Sequence, residues 1–412
     1  MVGLLMRRPS FRLFSGALIV SIIGDWLLLI ALPYFVFQRT HSPLAAGGTF
    51  LVITLPRLLF AALSGVVVDL GDRKHVMIAA HAVSAASLLG LFLVAHVPGL
   101  LWLVYPVVFI DSSAGQIFYV ARNTIVPSLV EREELPEANT VASIIEGVGA
   151  LAGPPLGGLL LAVAGLDVVI LLDIVSFLAA IAFIVPIALP PSPGTERPGR
   201  RVSSLSSLVA PIREGAEEIW RQQDLRGIMV VACAIMLSLG TFNSLAVPFA
   251  SGVLHLDSRG VGALLGAFAV SYLLMAPVVP GITRRFGLDT IFVSGLLLKG
   301  AALVAMATVQ VTGWELLIFA LFGMPDVVLL VSTQSAVQSR VDSALLGRVV
   351  SAIWTLMNAS LVVGSAGASA GSQALGPPAV LGGAGALLVV VGAGFAAVRR
   401  FARAPVVSSA GG

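Results

Sequence analysis

Charge in this chain is confined almost entirely to the short gaps between long apolar runs. Twelve runs can be traced, at about residues 14–37, 45–68, 76–97, 99–121, 138–163, 167–189, 226–250, 260–281, 289–310, 313–338, 346–371 and 377–398. Each reaches the ~20 residues that a helix rising ~1.5 Å per residue needs to cross a hydrocarbon core ~30 Å thick. Membrane-spanning strands are far shorter and alternate apolar with polar residues, so a barrel is excluded. Only 11% of the residues are charged, whereas a soluble domain carries about 25% and needs them to cover its surface. The expected fold is an all-α polytopic membrane protein with twelve transmembrane helices.

Basic residues alternate from gap to gap. Twenty Lys and Arg fall in the two tails and in every second gap, including Arg7, Arg8, Arg12, Arg73, Lys74, Arg122, Arg132, Arg284, Arg285, Arg340 and Arg348. The intervening gaps hold two, Arg39 and Arg259. Because basic loops stay on the cytoplasmic side, both termini are expected there and the number of spans is even. The net charge of +3 reflects that topology and implies no nucleic-acid partner. The first run is too long for a secretory signal and lacks a small-x-small cleavage site, so it reads as helix 1. Cys233 is the single cysteine and reads as an apolar packing residue.

The longest polar interval divides the chain. A Pro/Gly/Arg-rich stretch opens it, and Leu205, Leu208, Ile212, Ala216, Ile219 and Trp220 follow at helical spacing. The expected form is an amphipathic helix lying on the inner membrane surface. This gives an N-terminal six-helix bundle (1–189), a cytoplasmic linker (190–225) and a C-terminal six-helix bundle with a short tail (226–412). The halves read as pseudo-symmetric copies: Gly65-VVV-Asp69-LGDRK ends span 2, and Gly281-IT-Arg284-Arg285-FG ends span 8, 216 residues later. A six-plus-six parallel repeat is the architecture of transporters that rock two bundles about a central site.

Soluble-enzyme signatures fail on context. Gly367-Ala368-Ser369-Ala370-Gly371 spells G-x-S-x-G inside an apolar span with no preceding strand. No Walker motif occurs, and the five histidines are scattered without metal-ligand spacing. Neither an enzyme, a cofactor nor a metal is expected.

The segments GDWLLLIALPYFVFQRTHSPLAAG, LPRLLFAALSGVVVDLGDRKHVMI, VPSLVEREELPEANTV and LLDIVSFL resemble the major facilitator superfamily, in particular its macrolide-efflux and enterobactin-exporter-like bacterial branch. The turn after span 2 is similar to that superfamily's cytoplasmic signature, through Gly65, Asp69, Arg73 and Lys74, with Leu70 where the family has a base. Such a motif pairs charges across the bundle interface in one conformation and separates them in the other. Gly149, Gly153, Pro154, Gly157 and Gly158 match the family's antiporter pattern G-x-x-x-G-P-x-x-G-G. Glycines four apart form a smooth stripe for close helix contact, and the proline bends the helix. The R-x-x-Q-G motif of span 4 is absent, since Ser113 precedes Gln116 by three.

The resemblance implies a V-shaped pair of bundles with spans 1, 4, 7 and 10 around a cavity. It also implies export of hydrophobic or amphipathic small molecules such as drugs, macrolides or siderophores by proton antiport. The setting would be the bacterial inner membrane, with cargo, protons and lipid as partners and a monomer as the working unit. An importer, uniporter or lipid flippase of the same fold is the alternative within transport. A non-transporting receptor or assembly protein is the alternative outside it.

Ionisable groups inside apolar runs are costly and mark function. Counting from the span ends at ~1.5 Å per residue places Asp25, Asp111, Glu146, Arg57 and Lys299 about 12 to 18 Å deep. Asp326 is expected nearer the cytoplasm and Asp173 close to the outer end of span 6. Asp25, Asp111, Glu146 and Asp326 are the candidates for proton coupling or substrate binding, with Arg57 and Lys299 as charge partners. Four acids against two bases leaves carboxylates without a fixed partner, able to take up and release protons. For Asp25 a structural pair with Arg57 is the competing role, and for Glu146 a contact with the other bundle.

Overall fold

The structure is a computed structural model describing residues 2–97, 99–188 and 205–403, and the regular structure among them is helical throughout. Helix α1 (Val2–Arg7) leads into α2 (Pro9–Thr40), α3 (Pro43–Leu59), α4 (Ala61–Leu70), α5 (Arg73–His96), α6 (Val104–Ile125) and α7 (Leu135–Ile184). Then come α8 (Leu205–Arg221), α9 (Gln223–Gly252), α10 (Ser258–Met275), α11 (Val279–Arg285) and α12 (Leu288–Val309). Helices α13 (Thr312–Gln338), α14 (Ser343–Leu375) and α15 (Pro377–Arg403) complete the chain. Nine helices among the described residues are long and apolar enough to cross a membrane. Each of the twelve apolar runs falls on a helix, on one arm of a helix or on a broken pair.

The helix ends follow from local chemistry. His41 closes α2 in the left-handed conformation (φ 49°) and donates its N–H to the Phe37 carbonyl at 2.8 Å. Ser42 caps α3 by accepting from the Ala45 N–H at 3.3 Å, with Pro43 in the first turn, where no N–H is needed. Asp72 caps α5 through the His75 N–H at 3.0 Å, and that bond holds its carboxyl below the ordinary value. Gly165 (φ 79°, ψ 174°) folds α7 into two antiparallel arms, spans 5 and 6, in a conformation open essentially to glycine alone. Spans 2 and 8 break at matching places, at Phe60 and at a 3₁₀ turn over Ala276–Val278, each just before the glycine of the repeated turn.

Lipid is as apolar as leucine, so helices in a membrane are held by close packing and interhelical hydrogen bonds. Two apolar clusters draw only on the first half: Phe11, Phe14, Leu18, Met77 and Phe118 build one, and Leu32, Leu88, Leu91 and Phe177 the other. The largest cluster, around Phe242, Phe249, Phe292, Phe319 and Phe322, draws on the second half, on Ile219 and Leu225 just before it, and on Ile30. Helices α9 and α14 approach backbone to backbone, and Ser365 donates across to the Gly240 carbonyl at 3.2 Å.

The halves meet at the end bearing Arg39 and Arg259. There a Cβ on Gly158 would lie 2.9 Å from the Cα of Gly262, and one on Gly47 would lie 3.1 Å from the Ser244 carbonyl. Ser42 donates to Gln373 across the same seam at 3.1 Å. At the base-rich end, Gly65, Gly281 and Gly347 have no such neighbour within 4 Å among the described residues. There α4 packs on α3, α5 and α6, and α11 on α13, each inside its own half. The described structure is closed at the base-poor end and parted at the base-rich end.

Helix α8 corrects one expectation. Its described apolar face is turned to protein rather than lipid: Ile219 is buried, Ile212 and Ala216 pack on the second-half core, and Gly215 lies against the Arg348 backbone. Glu214 pairs with Arg348, and Trp220 alone stands out at 71% exposure. The side chains of Leu205 and Leu208 lie outside the described residues, as does everything from 189 to 204.

Candidate functional site

Helix α2 brings Asp25 to the middle of its span, and Gly24 beside it sets the geometry. Without a side chain at Gly24, the second arm of α7 closes on α2 so tightly that Asp173 Oδ1 and Ser176 Oγ occupy the space a Cβ would take. Asp173 is only 1% exposed and accepts a hydrogen bond from Ser176 at 3.1 Å. Asp25, on the open side of the same helix, is exposed. The charges acting on it are those of Asp111, Arg122 and Arg57. Asp111, on α6, lies beside the buried Ser84 of α5. Asp173 lies in the field of both Asp25 and Asp111. Three carboxylates from α2, α6 and α7 thus form one electrostatic cluster.

Two guanidiniums balance it in part. Arg57 contributes to the field at Asp25. Arg122 pairs with Glu146 of α7, and its Cζ stands 4.6 Å from the centre of the Tyr119 ring. Among the described residues the ion pairs within spans are Arg122–Glu146 and Lys299–Asp326. The group therefore sets four acids, Asp25, Asp111, Asp173 and Glu146, against Arg57 and Arg122.

The Lys299–Asp326 pair stands apart, between α12 and α13 in the second half. Lys299 is 0% and Asp326 6% exposed, and the Lys299 ammonium sits 3.8 Å from the centre of the Phe322 ring. Among the described residues Asp326 Oδ2 has no hydrogen-bond partner. Both residues lie near the middle of their helices, so Asp326 is deeper in the bundle than its expected place toward the cytoplasm.

Below the Arg122–Glu146 pair, toward the base-rich end, a cavity of about 250 Å³ opens between α2, α6 and α7. Asn123, Asn139 and Ser143 join the ion pair in lining it, with Phe14 and Leu18 on the apolar side.

The motif residues are placed with more restraint than the sequence suggests. Arg73 donates to the Thr124 carbonyl and Lys74 to that of Ile187, both at 2.9 Å and both inside the first half. The gate cations thus tie down their own bundle in this conformation; Gly65 is uncontacted and the Asp69 side chain lies outside the described residues. In the antiporter stripe, Gly149 and Gly153 receive Trp26, and Gly157 lies 2.7 Å, at its Cβ position, from the Leu27 carbonyl. Gly158 alone of the four faces the other half; the Pro154 side chain is not among those described. Glu146, for which a contact with the other bundle is the competing role, is held by Arg122 of its own half.

Gly153→Leu would drive a side chain into Trp26 beside Asp25. Overpacking of this kind costs about 1 to 3 kcal/mol. Folded, membrane-inserted protein with transport at background is expected in a vesicle flux assay, and normal flux would show that α2 and α7 need not stay this close.

Sequence reasoning missed Arg122 and Asp173. By the apolar pattern Arg122 falls in a cytoplasmic gap, but α6 runs on to Ile125 and leaves it 8% exposed. Asp173 was set near the outer end of its span, but it is level with Gly24. The signal available was an acid inside LLDIVSFL with no basic residue in the same span.

Residues 14–365 match the family model of the Major Facilitator Superfamily. The MFS-type transporter YfiS of Bacillus subtilis is 27% identical over 402 residues, covering 94% of each chain. Macrolide efflux protein A of Streptococcus pyogenes is 24% identical, covering 84% of this chain and 85% of its own. The enterobactin exporter EntS of Citrobacter koseri is 26% identical, covering 95% and 88%. Among solved structures, the nucleoside transporter NupG superposes with a TM-score of 0.73 at 14% identity, covering 95% of this chain and 99% of its own. A bacterial homologue of the iron transporter ferroportin gives 0.71 at 16%, covering 94% and 98%. With that match spanning most of its length and the helical architecture agreeing, this chain belongs to the Major Facilitator Superfamily.

Proposed function

We propose that the protein exports hydrophobic or amphipathic small molecules across the bacterial cytoplasmic membrane in exchange for protons. The observation that carries this reading is the cluster of Asp25, Asp111 and Asp173, three carboxylates in one field with fewer bases than acids around them. A carboxylate within a membrane span and without a fixed counter-ion exchanges charge for a proton at little structural cost. Asp25 meets the interior from the open side of α2, so it is the group that cargo and proton both reach.

Two bundles, 1–189 and 226–412, rock about this site, joined by 190–225, and a single chain is the working unit. The contacts at the base-poor end and the parting at the base-rich end fit the state that loads cargo from the cytoplasm, with both termini on that side. Protons arriving from outside neutralise the cluster and favour the return to this state; cargo entering from inside displaces them. Export is supported by the antiporter stripe and by the names of the relatives, a macrolide efflux protein and an enterobactin exporter.

The direction is tested in cells producing the protein. Labelled erythromycin should accumulate less than in control cells, and a protonophore should abolish the difference. Greater accumulation would reveal an importer, and equal accumulation would remove macrolides from the cargo class. For orientation, a cysteine replacing Arg259 in a Cys233→Ser background should react with an impermeant maleimide from outside, whereas one replacing Arg285 should not. Labelling of the second alone would invert the topology.

A further inference from the structure

The cavity between α2, α6 and α7 has a polar lining that the carboxylate cluster does not explain. We infer that it receives the amine-bearing head of a cationic amphiphile, with Glu146 as the counter-ion; the inference rests on the export reading for its place in the cycle.

The sign of the charge follows from which member of the ion pair faces the space. The Arg122 side chain is 10% exposed and that of Glu146 47%, so an incoming head meets the carboxylate. An ammonium has three donors and no acceptor. The lining offers it acceptors: the Glu146 carboxylate, the side-chain oxygens of Asn123 and Asn139, and the Ser143 hydroxyl. Phe14 and Leu18 continue the surface as an apolar wall for the chain behind the head. An anion would have to displace Glu146 from a guanidinium almost wholly covered by protein.

Arg122 is not stranded when an ammonium takes its partner. It lies in the field of Asp25 and stacks on Tyr119, and its buried Nε–H has no acceptor among the described residues. Released from Glu146, it can pair with ionised Asp25, itself faced by Asp111, Asp173 and Arg57. One ammonium arrives, one proton leaves Asp25, and the charge of the site is unchanged. Arg122 thereby links the cargo cavity to the proton-carrying cluster, and neither Glu146 nor Asp25 is left without a counter-charge.

The test uses purified protein in lipid nanodiscs and three fluorescent probes that differ only at one end: dansylcadaverine, its N-acetyl derivative and its N-succinyl derivative. The amine should bind about tenfold or more tightly than the neutral probe, the difference expected of a charge-assisted hydrogen bond, and the succinyl probe should bind weakest. Glu146→Gln should erase the preference and Glu146→Asp should retain it. Because Glu146→Gln strands Arg122, the neutral double variant Arg122→Gln/Glu146→Gln serves as the folded control and should also bind amine and acetyl probes alike. A preference that survives in the double variant, tighter binding of the succinyl probe, or no binding of the amine overturns the inference. Erythromycin-driven proton movement without amine preference would overturn it while leaving the export reading standing. Amine preference without proton movement would do the reverse.

Discussion

Asp25→Asn is expected to yield folded protein whose gradient-driven efflux falls to the level of protein-free vesicles while exchange of cargo for cargo continues. The amide keeps the shape and hydrogen bonding of the carboxyl but cannot titrate. A structural role as the partner of Arg57 would predict a different outcome, because removing one member of a buried pair leaves a charge uncompensated and the protein unstable. Arg57 acts on Asp25 only from a distance, and Arg122 already has Glu146. Expression near wild type is therefore expected. Poor expression rescued by adding Arg57→Gln, with full uphill transport restored, would remove Asp25 from the proton path and leave Asp111 as its carrier.

Asp326→Asn should act in the opposite way, on the fold before the transport. Lys299 is wholly buried, with Asp326 and the Phe322 ring as its neighbours. Breaking such a pair from one side costs about 3 to 5 kcal/mol, whereas replacing both members by apolar residues of similar volume is often neutral. The single variant should be lost from the membrane fraction or melt many degrees lower. Lys299→Met with Asp326→Leu should recover folded protein. If that double variant also transports against a gradient, Asp326 is structural; if it folds but only exchanges, Asp326 shares the proton-carrying role.

The spans were legible because a hydrocarbon core imposes a length that twelve apolar runs repeat. Counting residues puts Asp25 and Asp111 at one level, but it leaves Asp173 and Asp326 nearer the span ends than they lie. Rotation and lateral neighbours cannot be counted. Nothing in a linear pattern says that Gly24 admits Asp173, or that Gly149, Gly153 and Gly157 are spent on α2 while Gly158 meets the other half. Arg122 was misplaced because a base near the end of an apolar run looks like a loop residue until the helix is seen to continue past it. The amphipathic pattern of α8 marked a face to be covered, but a membrane surface and the flank of α14 satisfy it equally well. Lys299 and Asp326 are 27 residues apart on different helices, and only the packing of α12 on α13 makes them one pair.

The central claim is that the carboxylate cluster exchanges protons for cargo. Purified protein in vesicles enclosing a pH-sensitive dye, given an erythromycin gradient, reports on it directly. The account predicts proton movement opposite to the erythromycin flux in the wild type and none in Asp25→Asn, although the variant still exchanges labelled for unlabelled erythromycin. Erythromycin flux in the wild type with no accompanying proton movement would contradict it.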